Sequence, residues 1–135
     1  VTDAMLACPC LILAIALAAF LGPSLQNAMI AIGITATPVF VRLTRGQVLS
    51  IKVEDYVEAA RAVGNTKVRI AWKHILPNVM PQLLVQGTLT IATAIIAEAS
   101  LSFLGLGQQP PAPSWGSMLN VAQRFLSNAP WMAVF

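Results

Sequence analysis

Few side chains in this 135-residue sequence are placed to do chemistry. Cys8 and Cys10 flank Pro9 inside an apolar run, with no histidine or acid beside them. Two thiols are too few ligands for a structural metal, so the expectation is a pair of inert cysteines. His74 is the single histidine, and no neighbour in the sequence would share a metal with it, so it reads as a satisfied interfacial residue. Glu98 is the one acid in a long apolar stretch, where a charge is costly and often functional. A proton relay, a substrate contact, and a carboxylate hydrogen-bonded to neighbouring helices or reaching the interface all remain open for it. The sequence holds no G-x-x-x-x-G-K-[ST] phosphate loop, no G-x-S-x-G and no H-E-x-x-H. It also lacks the second intramembrane acid that a membrane protease would need. The expectation is a non-enzyme with no catalytic residue, no metal and no cofactor. What remains is docking chemistry, in the segment around Glu58-Ala59-Ala60. There a single acid and two small residues on a short helix suit the groove of a soluble partner.

The elements that must position these residues follow from composition. Hydrophobic residues make up 57% of the chain and charged residues 10%, against roughly 25% charged in a soluble domain. Such a chain is neither disordered nor a soluble globule. The length suits three or four spans of about 20 residues. The net charge of +3 does not point to nucleic acid, because basic residues in an apolar chain mark one side of a membrane. Residues 4–41 carry no charge, and residues 42–73 hold seven of the eight basic residues and three of the five acids.

Gly22-Pro23-Ser24 is a turn signal that splits the first apolar region into spans at about 5–21 and 25–41. Pro9 falls in the first turns of the first span. Pro38 should kink the second, with Thr35 and Thr37 placed to re-satisfy freed backbone groups. A third span runs from about 80 to 104, with Thr90, Thr93, Ala94, Ala97 and Ser100 spaced for close helix packing. Residues 105–128 form a proline-stiffened external loop with a short amphipathic segment, 117–126, and Trp115 at the interfacial belt. A truncated fourth span begins near residue 129. Val1 at the start and the apolar run at the end predict a fragment of a longer membrane protein. No basic region precedes the first apolar run, so it is not read as a signal peptide. The basic residues place the 42–78 loop in the cytoplasm. The fold class is all-α, a polytopic transmembrane helical bundle.

The loop is patterned. Val53, Val57, Ala60 and Val63 repeat at helical spacing over 52–63. Glu54, Asp55 and Glu58 near the start suit the helix dipole, and Gly64-Asn65 is a stop signal. Thr66 can cap a second short helix, and Leu76-Pro77 either ends that helix or marks entry to the third span, with Pro81 in the first turn of that span. Two uses are open: docking on a soluble partner, or lying on anionic lipid through the basic residues.

Glu58-Ala59-Ala60, three residues, Gly64, nine residues, then His74-Ile75-Leu76-Pro77 resembles the EAA signature of binding-protein-dependent ABC importer permeases. Six fixed positions of this kind match by chance roughly once in several million starts. His74 stands where many members of the wider superfamily have isoleucine. The segments 56–64, 74–78, 98–107 and 110–119 are similar to the second permease of the dipeptide, oligopeptide and nickel importers. That resemblance implies a type I permease fold in a bacterial inner membrane. It implies two ABC ATPase subunits inside, a homologous permease beside the chain and an extracytoplasmic solute-binding protein. ATP hydrolysis would then belong to a separate chain. The solute would be a di- or oligopeptide, with nickel and glutathione importers sharing the pattern. The resemblance makes the EAA loop a coupling helix. In it Glu58 makes the polar contact to the ATPase, Ala59 and Ala60 the close packing, and Gly64 the turn, with Leu76 and Pro77 completing the motif.

Overall fold

The computed structural model describes residues 7–134, and every regular element among them is helical. In chain order these are α1 (Cys10–Leu21), α2 (Leu25–Ile51), α3 (Asp55–Ala62), α4 (Lys67–Ile70), α5 (Leu76–Phe103) and α6 (Trp115–Arg124). A π turn, Ala71–Ile75, joins α4 to α5, and a 3-10 turn, Pro130–Ala133, follows α6. The all-α class expected from the sequence is the one found.

α1 and α2 form a hairpin about Gly22, whose φ of +96° is open to glycine and strained for other residues. The Ser24 hydroxyl caps α2 by accepting from the Asn27 amide at 3.1 Å. The Asn27 side chain in turn donates to the carbonyls of Leu21 at 2.8 Å and Gly22 at 3.0 Å. One asparagine at the start of α2 thus satisfies orphan carbonyls at the end of α1, which matters where lipid offers no alternative partner.

α2 does not stop at Val41, where the second span was expected to give way to a loop. It continues to Ile51, 27 residues in all, or ~40 Å at 1.5 Å per residue. Arg42 and Arg45 end the uncharged stretch without ending the backbone ladder, because a long cationic side chain is compatible with a helix leaving the hydrocarbon. Pro38 lies inside α2. The Thr35 and Thr37 hydroxyls donate to the carbonyls of Ile32 (2.8 Å) and Gly33 (2.9 Å), beside the Ile34 carbonyl whose usual amide partner the proline removes. Ala28, Ala31, Thr35 and Pro38 form one buried face, and α2 packs on both α1 and α5. Ala18, Ala28, Ala31 and Leu101 are the core there, and three alanines among four residues allow close backbone approach.

Of the two roles open to Leu76-Pro77, the end of the second short helix or the entry to the third span, the structure shows the entry, with no break in the helical backbone. Pro77 has no amide hydrogen, and its ring crowds the carbonyl four residues back. The helix accommodates it by widening into the π turn, where the Leu76 amide donates to the Ala71 carbonyl five residues back. Lys67–Phe103 is therefore one helical rod of 37 residues, ~55 Å long. Among the described residues this rod and α2 are the two helices long and apolar enough to cross a hydrocarbon core of about 30 Å. α1 supplies 12 residues, ~18 Å, toward the expected span 5–21, whose first two residues lie outside the described ones. Where the start of a fourth span is expected, from about 129, the described residues form the 3-10 turn. α1 and the rod expose large apolar side chains, Phe20 at 89% and Ile96 at 69% among them, on surfaces that a water-soluble chain would cover.

Candidate functional site

Polar and small residues gather at the two ends of the rod. At the basic end lies α3, with Asp55 and Glu58 in its first turn, where the helix dipole favours negative charge. α3 ends at Gly64, with φ +80°. The Gly64 amide donates to the Arg61 carbonyl at 2.9 Å and the Asn65 amide to the Ala60 carbonyl at 3.2 Å, the paired bonds of a glycine-terminated helix. Thr66 then caps α4, its hydroxyl accepting from the Arg69 amide at 3.4 Å.

α3 is clamped. Val57, Ala60 and Ile70 form a small buried core, closed by Ile51 at the end of α2 and Ile75 in the π turn. A polar link stands beside it: the Asn78 side chain donates through Nδ2 to the Tyr56 hydroxyl at 3.2 Å and to the His74 carbonyl at 2.6 Å. With Val57 and Ala60 turned inward, helical geometry leaves Glu58 and Ala59 exposed on the outer face of α3.

At the far end, Gly105 (φ +80°) terminates α5 in the same way as Gly64 terminates α3. The Leu106 amide donates to the Leu101 carbonyl at 2.9 Å, and Leu106 packs on the core that contains Leu101. Half-buried Glu98 lies about two turns before this terminus. The Ser102 hydroxyl donates to its carboxylate and accepts from the Gln108 amide at 3.0 Å. Ser114 opens α6 with a reciprocal cap: its hydroxyl accepts from the Ser117 amide at 3.2 Å, and the Ser117 hydroxyl accepts from the Ser114 amide at 3.1 Å. Gly116 lies so close to the backbone of Ala99 and Phe103 that no Cβ fits, and the Asn120 side chain donates to the Phe103 carbonyl at 2.7 Å. A groove of about 620 Å³ runs between α2 and α5, with Gly33, Ala36 and Ala94 along it and Glu98 and Trp115 at its far end.

The family described as "Binding-protein-dependent transport system inner membrane component" matches this chain over residues 1–135. The chain belongs to that family. A dipeptide transport system permease protein of Alkalihalophilus pseudofirmus is 50% identical over 133 residues, 98% of this chain and 44% of that protein. Glutathione transport system permease proteins of Escherichia coli and Shigella flexneri are each 45% identical over 135 residues, all of this chain and 45% of theirs. The chain thus spans a little under half the length of the curated relatives it matches. The family's setting, an inner membrane, agrees with two helices long and apolar enough to cross one.

In this inner-membrane component the residues singled out from the sequence separate into three places. Glu58, Ala59 and Gly64 are exposed on α3 and its terminus. Ala60 is not: at 6% exposure it belongs to the internal core, because positions 57 and 60 share a helix face. The wider apolar face expected over 53–63 is shortened likewise. Val53 and Val63 lie beyond the ends of α3 and are exposed, and Ile70 supplies the missing contact. Leu76, half-buried, and Pro77, exposed, stand at the junction of the π turn and α5. Glu98 lies with neither group, at the far end of the rod. Tyr56 and Asn78 were missed as a pair. Both fall inside the recognisable motif segments, but a contact across 22 residues leaves no periodic trace.

Proposed function

We propose that this chain is the membrane-spanning part of a permease in an ATP-driven solute importer, and that α3 is its coupling helix. One observation carries the reading. α3 presents Glu58 and Ala59 outward while its opposite face is packed onto the basic end of a membrane-length rod. A partner that grips the outer face pushes on the rod through the Val57–Ala60–Ile70 core. Ala60 acts on the inner side of this lever and Ala59 on the outer side. Gly64 allows the reversal that brings α4 back under α3.

This geometry and the family support a set of partners. Two cytoplasmic ATPase subunits dock at the basic end, one on each of two homologous permeases. An extracytoplasmic binding protein delivers solute at the far end. ATP hydrolysis resides on the ATPase chains, and the permease itself catalyses no reaction. Closing the ATPases moves the coupling helices and rocks the spans between inward-open and outward-open states. Seven cationic side chains between Arg42 and Lys73 set the orientation, with that end in the bacterial cytoplasm. Relatives named for dipeptide and for glutathione make a short peptide the solute class that suits both names.

The test is Glu58→Lys combined with Gly64→Pro in the full-length protein. Uptake and ATPase co-purification should both be lost while membrane insertion is kept. Survival of both uptake and co-purification sinks the docking reading. A membrane scaffold whose basic segment lies on lipid is the competing reading. Val68 and Trp72, each 69% exposed beside Lys67, Arg69 and Lys73, suit a headgroup surface. The double substitution leaves those residues intact, so a scaffold would be unaffected by it.

A further inference from the structure

We propose that Glu98 is a positioning residue. Through the Ser102 hydroxyl it holds the loop after α5, and α6 with it, on the far end of the rod, so that α5 and α6 move as one body. This deepens the permease reading above and rests on it for what sets the rod in motion.

The argument starts from a comparison of two serines on one helix. Ser100 takes the default course of a helical serine: its hydroxyl donates to the Ile96 carbonyl, four residues back, at 2.8 Å. Ser102, two residues on, instead gives its single proton to the Glu98 carboxylate, also four residues back. A serine hydroxyl has one proton and two lone pairs. With the proton committed to Glu98, a lone pair faces outward and accepts from the Gln108 amide at 3.0 Å. Ser102 is 3% exposed, so no water replaces either partner cheaply. Glu98 therefore sets the hydroxyl rotor that ties the loop to the helix.

The loop is shaped to this hydroxyl. Gly107 has no room for a side chain, and the first atom that a Cβ would meet is the Ser102 oxygen. Gln109 stiffens the same turn by donating to the carbonyls of Gly105 at 2.9 Å and Gly107 at 3.2 Å. Beyond the prolines, Gly116 sits against the α5 backbone and Asn120 binds the Phe103 carbonyl, so the chain returns to the helix that it left. Glu98, Gln108, Ser114 and Trp115 border a common recess of about 490 Å³. Movement of the loop would thus reshape the far mouth of the spans.

The experiment uses the full-length protein with its cysteines, Cys8 and Cys10 among them, replaced by serine and Ala122→Cys as a reporter, since Ala122 is 1% exposed on α6. Labelling by a membrane-impermeant maleimide is measured in native membranes without ATP, and uptake is measured alongside. Glu98→Ala, Ser102→Ala and the double variant should each raise the labelling rate by about tenfold, as expected for the loss of one hydrogen bond to a charged group. The double variant should be no worse than either single one. Uptake should lose maximal rate while the KM for the loaded binding protein is unchanged. Glu98→Gln, whose amide oxygen still accepts from Ser102, should restore both readouts. Gly107→Ala should reproduce the Ser102→Ala phenotype from the loop side, without altering a span. Unchanged labelling in Glu98→Ala, or a Glu98→Gln protein as defective as Glu98→Ala, overturns the proposal; the second result would mean that the charge itself carries a proton or a cation. Because labelling is read without ATP, its failure is separable from failure of the α3 docking reading, which co-purification tests.

Discussion

At its basic end the long rod meets α3 through side chains; at its far end it meets α6 through backbone. Val57, Ala60 and Ile70 make the first joint, with one side-chain hydrogen bond between Asn78 and Tyr56 beside it. The second joint is Gly116 against Ala99 and Phe103, with Asn120 on a main-chain carbonyl. Side chains change rotamer, so the first joint can adjust while staying attached. Two backbones in contact have no such freedom, since a packed interior has few voids to move into. The first arrangement suits the proposed coupling lever, and the second suits the proposed rigid carriage of α6.

The largest test of this contrast is Gly116→Leu. Its side chain would meet main-chain atoms that cannot swing aside, at a cost of about 3 kcal/mol. α6 should detach, read as new protease cleavage near Phe125, while ATPase co-purification stays intact. Protection at that site would mean that the far joint is not the backbone contact described. Ile70→Ala acts on the other joint. Removing most of a buried side chain from a core this small should cost about 2 kcal/mol, the low end of such truncations, because neighbours at an open edge can relax into the space. Hydrogen exchange in α3 should quicken with α6 unchanged; equal quickening at both ends would break the distinction between the joints.

Asn120→Ala comes next, removing one hydrogen bond to a helix-terminal carbonyl at a cost of about 1 kcal/mol. Its expected signature is faster exchange at the start of α6 with uptake largely kept. Tyr56→Phe is the mildest. The exposed bond to Asn78 should be worth roughly 0.5 kcal/mol, so assembly should be normal and only the solute carried per ATP should fall. A Tyr56→Phe protein as damaged as Ile70→Ala would shift the weight of the basic joint from apolar packing to the polar link.

Much of this architecture was legible in local sequence. The glycines that end α1, α3 and α5, Gly22, Gly64 and Gly105, stand where the chain needs a backbone conformation that other residues resist. Ser24, Thr66 and Ser114 are side chains suited to the start of a helix, and each caps one. The segment around Glu58 stood out because a short acidic helix between apolar stretches needs a reason to be there. Two continuities were not legible. The uncharged stretch ends at Arg42 and Leu76-Pro77 opens α5, yet the helical backbone runs through both. A charge limits only the depth of the hydrocarbon, and a proline removes one bond that a π turn can route around. Neither residue says what its backbone does next.

By itself the sequence determined the helical class, the membrane setting and the position of the basic end, because composition, turn residues and charge act within a few residues of themselves. The tertiary structure decided what those residues touch. It turned Ala60 inward and left Ala59 outside, joined Tyr56 to Asn78 across 22 residues, and set Gly116 against Ala99. It also placed Glu98 in a chain of hydrogen bonds through Ser102 to Gln108. Such contacts depend on how two helices cross, and the geometry of a crossing is a property of both surfaces together.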